Sequence, residues 1–224
     1  MTTPTAHPTR PDTREMVVVH NCFRRQFAAL PALVRGVPAG DTARAGEVVA
    51  FFDELATALH HHHSSEDDLL WPKLLDRAPT DAALVLRMEE QHERISELLS
   101  LAQSQGAAFA ADAADGEPLA KTLTALSTAL GEHLGEEERH ILPMAEQFMT
   151  LAEWQEMGDR GRASIPKDRL LVFLGYILQG ATPEERRMFL SEMPFAARMA
   201  WSILGRRAFR KDYRRIYRTE PAAF

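Results

Sequence analysis

Apolar residues recur along this chain at the three- and four-residue spacing of amphipathic helices. No stretch alternates with the period of two that marks a strand. The first run, roughly Arg14 to Val34, puts Val17, Val18, Phe23, Phe27 and Leu30 on one side. Glycines and a proline within residues 36–40 end it, and Asp41 is suited to cap the next helix. That second helix runs from Thr42 to about Trp71, where Pro72 removes a backbone donor and crowds the preceding turn. Asp81 opens a third helix that reaches about Gln105, and residues 106–117, rich in Gly, Ala and Asp, read as a loop. Pro118, suited to a first turn, opens a fourth that reaches Pro143, and Met144 to Met157 continues helically. Long helices with short connections predict an all-α protein, an up-down-up-down four-helix bundle.

After Gly158 the character changes. Gly161 to Lys167 reads as a loop, and Asp168–Gln179, Pro183–Ser191 and Pro194–Tyr217 read as three further helices. Residues 160–224 carry 14 Lys or Arg against 6 Asp or Glu, whereas the chain as a whole carries a net charge of −6. The two regions therefore have surfaces of opposite sign. These features divide the chain into a disordered lead-in over 1–13, a bundle over 14–158, and a basic helical extension over 159–224 packed on the bundle.

Composition narrows the class without naming a function. A 45% hydrophobic, 26% charged chain of 224 residues is long enough to bury a real core. No apolar run approaches the roughly 18 residues of a membrane span. The Thr- and Pro-rich start lacks the apolar stretch of a secretory signal, and a single cysteine, Cys22, suits a reducing compartment, so a cytoplasmic location is expected. Neither a nucleotide-binding loop nor a flavin fingerprint is present.

The chemistry lies in a repeat. His62, Glu66 and Pro72 recur 71 residues later as His133, Glu137 and Pro143. A His and a Glu four residues apart share one helix face. His20 and His92, 72 residues apart, pair in the same way, each followed by apolar residues at +3 and +7: Phe23 and Phe27, then Ile95 and Leu99. Two helix pairs in tandem would thus bring His20, His62, Glu66, His92, His133 and Glu137 to one level inside the bundle. Neutral imidazoles and carboxylates converging there are a metal site. Within the run His60–His63 the repeat selects His62, since consecutive helical residues point about 100° apart. His60, His61, His63 and His140 are expected at the surface or around the ligands. Cys22 is expected to face away from the metal and Trp71 to be a core residue.

The order His, His-x-x-x-Glu, His, His-x-x-x-Glu, with the Leu69-Leu70-Trp71-Pro72 and Ile141-Leu142-Pro143 tails, resembles the hemerythrin-like (HHE cation-binding) family over about residues 14–150. Ser164 to Tyr217 resembles an extension seen in some bacterial, notably actinobacterial, members. The resemblance implies a non-haem di-iron centre: two iron ions, oxo- or hydroxo-bridged. His20, His62, His92 and His133 would be terminal ligands, and Glu66 and Glu137 bridges. It also implies binding of, or reaction with, dioxygen, peroxide or nitric oxide, including peroxide disproportionation or a role in oxidative or nitrosative stress.

The sequence departs from the oxygen carriers of that family at Met88, where they have a further histidine one turn before the one matching His92. Glu89 is adjacent but faces about 100° away. A thioether suits oxidised iron poorly, so the expectation is a more open and more reactive site. Zinc prefers four ligands, and manganese or a mixed site would accept the same donors. An alternative function is a metal- or redox-state sensor signalling through the basic C-terminal helices. There Arg206, Arg207, Arg210, Lys211, Arg214, Arg215 and Arg218 interleave with Phe209, Tyr213, Ile216 and Tyr217, and nucleic acid is a candidate partner for residues 203–218. Docking of this helix on the acidic bundle is favoured over that reading.

Overall fold

The computed structural model describes residues 10–191 and 193–222, and all regular structure among them is helical. The chain forms α1 (Arg14–Arg35), α2 (Thr42–Leu69), α3 (Trp71–Arg77), a short 3₁₀ turn (Pro79–Asp81), α4 (Ala82–Asp112) and α5 (Glu117–Glu136). A π-helical turn (Glu137–Ile141) leads into α6 (Leu142–Phe148) and α7 (Leu151–Ser164). The remainder comprises α8 (Leu170–Leu178), α9 (Pro183–Ser191), α10 (Phe195–Ala200), a second π-helical turn (Trp201–Gly205) and α11 (Arg206–Tyr217).

Helices α1, α2, α4 and α5 form the bundle. Each packs on two of the others in the cyclic order α1–α2–α4–α5. The side chains that face the centre include Phe27, Leu30 and Ile95, read as apolar positions from the sequence, together with Phe52, Leu55, Leu59, Leu126 and Leu130. Burying each such side chain contributes about 1.5–3 kcal/mol, which outweighs intrinsic helix propensity.

Boundaries differ from the pattern where packing overrides local signals. The third bundle helix continues through residues 106–112, expected as loop. Gly106 lets α4 lie close to α2, since a Cβ there would stand 3.3 Å from Val49 Cγ1, and Phe109 is buried one turn further on. The two repeat prolines act differently. Pro72 ends α2 at Leu69 and starts α3, whereas Pro143 is accommodated by the π-helical turn that precedes it. Met144–Met157 is interrupted at Met149 and Thr150, where Thr150 and Glu153 form a capping box. Helix α7 then runs through Gly161 to Ser164, expected as loop. The expected disorder of residues 1–13 falls largely outside the described residues. Of its described part, Pro11 and Thr13 are buried, and the Thr13 hydroxyl donates to Glu146 at 2.8 Å.

The helices after Ser164 share the bundle's core. Val172, Leu174, Tyr176, Trp201, Phe209 and Ile216 belong to one apolar cluster with α1 and α2. Polar contacts key them in place: Arg169 bridges Glu54 of α2 at 2.6 Å and Asp212 of α11 at 3.0 Å, and the Tyr176 hydroxyl donates to Asp212 at 3.0 Å. Arg44 of α2 donates to the carbonyls of Arg215 and Ile216, and Arg218 pairs with Glu47. The apolar face of α11 thus meets the bundle, leaving Arg206, Arg207, Arg210, Lys211 and Arg214 exposed. Among the described residues, no helix is long and apolar enough to cross a membrane.

Helices α8 and α11 approach at Gly175, where a Cβ would lie 2.3 Å from Phe209 Cγ. Phe209 is fully buried and has nowhere to move. Gly175→Ala is therefore expected to destabilise the protein by about 1–3 kcal/mol, read as a lower midpoint of denaturant unfolding. An unchanged midpoint would mean that this contact does not hold the C-terminal helices.

Candidate metal centre

Glu66, His92, His133, Glu137 and His20 are buried at one level of the bundle, and His62 is nearly so. His20 and His92 come early in α1 and α4, whereas His62 and His133 come late in α2 and α5. In an antiparallel bundle that alternation brings them to the same height. Glu66 stands between two histidines, with Oε1 3.2 Å from His62 Nε2 and Oε2 3.5 Å from His92 Nε2. Glu137 does the same on the other side, its Oε2 lying 3.4 Å from His20 Nε2 and 3.8 Å from His133 Nε2. Each carboxylate therefore spans from its own helix to the lone histidine of the other helix pair.

A fifth imidazole joins them. His63, expected at the surface or around the ligands, is buried and stacks on His92 with ring centres 4.0 Å apart and planes 11° from parallel. It meets His133 edge-on at 5.0 Å. Donor atoms of His63, Glu66, His92 and His133 lie within 4.8 Å of one another, and so do those of His20, His62, Glu66 and Glu137. The two groups share Glu66. His60 and His140 are exposed and His61 is half-buried, as the repeat indicated.

A signal for His63 was present in the sequence. Val49, Phe52, Ala56, Leu59, His63, Glu66 and Leu70 follow one another at alternating three- and four-residue steps, the spacing of a core-facing stripe. The repeat hides it, because the position matching His63 in α5 is Leu134, a buried apolar residue. Met88 meanwhile turns into an apolar cluster with Leu70, Trp71 and Val85, and Glu89 is not among the converging donors.

Around the imidazoles lie hydrogen-bond acceptors that the sequence reading did not name. His92 Nδ1 donates to Asp67 Oδ1 at 2.7 Å, His20 Nδ1 to Glu138 Oε1 at 2.9 Å, and His133 Nδ1 to Gln91 Oε1 at 3.1 Å. A carboxylate only accepts, so the proton sits on Nδ1 and the Nε2 lone pair points into the cluster. Gln91 is turned the same way, since its amide nitrogen donates to Glu136 at 3.2 Å. Asp67 and Glu138 each follow a repeat glutamate by one residue, so the doubled acid was itself a repeated feature.

Protonation follows burial. Burial, with the neighbouring Glu137 charge second, pushes the Glu66 carboxyl well above its usual range, and burial raises Glu137. Burial also holds His62, His63 and His133 well below the usual imidazole value, and repulsion from neighbouring imidazoles, His20 and His92 among them in each case, adds to it. Asp67 and Glu138 are pushed up by burial, but hydrogen bonds from His92 and from His20 with Arg24 outweigh it, so both stay ionised.

The donors fit a cation. The Nε2 atoms of His20, His62 and His63 and all four carboxylate oxygens of Glu66 and Glu137 are buried without a hydrogen-bond partner. Orphaned groups of this kind cost about 1–3 kcal/mol each. Imidazole nitrogen and carboxylate oxygen suit iron, manganese and zinc alike. Cys22 is buried beside this region and its thiol is pushed up to about 12 by burial, so it stays protonated.

Comparison with known proteins agrees. The family model described as the hemerythrin HHE cation-binding domain matches residues 12–145. No curated protein and no solved structure matches the chain.

Two outcomes are expected. Removing the outer acceptors, as Asp67→Ala or Glu138→Ala, should weaken metal affinity about 10–100-fold in a chelator competition, because the imidazoles lose their orientation. Metal uptake should release protons. A Glu66 carboxyl raised by burial holds a proton that the ion must displace, whereas the lowered imidazoles are already neutral. Affinity should therefore rise with pH through the elevated Glu66 range and then level off, which calorimetry in buffers of different ionisation enthalpy would read.

Proposed function

The chain belongs to the hemerythrin HHE cation-binding family, and on that premise we propose that it holds two iron ions and binds or reacts with a small oxidant or diatomic ligand: dioxygen, peroxide or nitric oxide. One ion would be held by His20 and His62, the other by His63, His92 and His133, with Glu66 and Glu137 spanning the pair. The observation that carries this reading is that both carboxylates lie between histidines of opposite groups with every oxygen buried and unpartnered. An iron pair supplies a binding position for such a ligand and up to two electrons.

His63 changes the expected openness. It supplies the third imidazole of one group where Met88 supplies none. Counting each carboxylate twice, the seven residues fill nine of the about twelve positions that two six-coordinate ions offer. The shortfall is larger on the His20–His62 side, and that is where a ligand enters. The protein's own contribution is threefold. Asp67, Glu138 and Gln91 fix the imidazole tautomers, the carboxylates are kept ready to exchange a proton for metal, and the apolar surroundings exclude bulk water.

Metal analysis with an optical spectrum tests the reading. Two irons per chain are expected. His62→Ala and His63→Ala should each lose at least one, and His61→Ala should keep both. One zinc per chain would overturn the di-iron assignment. A His63→Ala protein with two irons and an unaltered spectrum would remove His63 from the ligand set.

A further inference from the structure

Beside His62 and Glu66 lies a cavity of about 160 Å³. One wall comes from the bundle, with Val19, Phe23, Leu55 and Ala58 of α1 and α2. The opposite wall comes from the helices that follow the bundle: Trp154 and Met157 of α7, Phe173 and Ile177 of α8, and Phe189 of α9. Its polar groups are otherwise engaged. Glu15 accepts from Trp154 Nε1 at 3.1 Å, Arg162 pairs with Asp159, and the Ser65 hydroxyl donates to the carbonyl of His61 at 2.7 Å. Among the described residues, the buried side-chain nitrogen and oxygen atoms of the lining that lack a hydrogen-bond partner are His62 Nε2 and the Glu66 oxygens.

We propose that this cavity is the binding site of a small, neutral, apolar organic molecule, held between the bundle and the C-terminal helices with one end against His62 and Glu66. A cavity of about 150 Å³ takes a single aromatic ring, so the occupant has about six to ten heavy atoms. A charged group would meet no free counter-charge on the apolar walls and would lose its hydration. The placement next to a metal ion rests on the reading above, and the cavity itself does not. It lies on the side with two imidazoles rather than three, so the organic molecule and the small ligand would meet at the same ion. This gives the C-terminal helices a role: they close a pocket that the four bundle helices leave open.

The test uses fluorobenzene as the probe, followed by fluorine NMR on the full chain with and without cobalt(II). Saturable binding is expected, about tenfold or more weaker in Ala58→Phe and in Val19→Phe, which fill the cavity from different helices. Leu101→Phe, at a half-exposed position elsewhere on α4, should bind as the parent does. Cobalt loading should broaden the bound signal, and 4-fluorobenzoate should bind more weakly than fluorobenzene. No saturable binding, or binding untouched by both cavity-filling variants, would overturn the proposal. Equal binding of the carboxylate would overturn the neutral class. Two cobalt ions taken up with no broadening would overturn the adjacency to the metal. Binding sensitive to Ala58→Phe in a chain that takes up no metal would uphold the cavity and overturn the metal reading instead.

Discussion

Two carboxylates side by side in the core of a helical bundle repel each other, and each has given up its hydration to be there. Leaving an unpaired ion in such a place costs several kcal/mol, against a net folding stability of about 5–15 kcal/mol for a whole domain. Glu66 and Glu137 are in that position, with none of their oxygens hydrogen-bonded. Proton uptake relieves part of the cost, which is why both titrate upward. A divalent or trivalent ion relieves more, because it also satisfies the imidazole nitrogens turned toward it. The bundle core away from this level is mainly hydrocarbon, and the outer acceptors, the ring stacking and the fixed tautomers all serve the one polar layer.

The layer is nearly symmetric, and it departs from symmetry in two respects. Exchanging the two helix pairs maps His20 onto His92, His62 onto His133, Glu66 onto Glu137 and Asp67 onto Glu138. It does not map His63 onto anything ligating, since Leu134 stands at the matching place. Nor does it reproduce the surroundings, because α7 packs on α2, and α8 and α9 pack on α1. One half of the centre is thus richer in imidazole and backed by Trp71, and the other is poorer and faces an apolar cavity. On the reading proposed above, each half would hold an ion, and the vacant positions would fall mainly on the His20–His62 side.

Much of this was legible in the chain. The helical periodicity and the prolines give the bundle, and the doubled His-x-x-x-Glu with the pairing of His20 and His92 gives the level of the polar layer and six of its residues. These are signals of spacing along one helix, fixed by the geometry of about 3.6 residues per turn. Two features run against these local signals. Residues 106–112 stay helical because Gly106 admits Val49 of another helix. His63 was set aside because the repeat pointed to His62, although both flank the Glu66 face.

The sequence by itself determined six residues of the polar layer and that such a layer calls for a cation, because helical spacing and the cost of burying charge are local and chemical facts. Only the tertiary structure decided which histidines share a carboxylate, that His63 joins the converging donors while Met88 turns into an apolar cluster, and that the C-terminal helices close a pocket on one side. Those outcomes depend on which helices become neighbours and on how their surfaces fit, and a contact between residues far apart in the chain leaves no spacing to read.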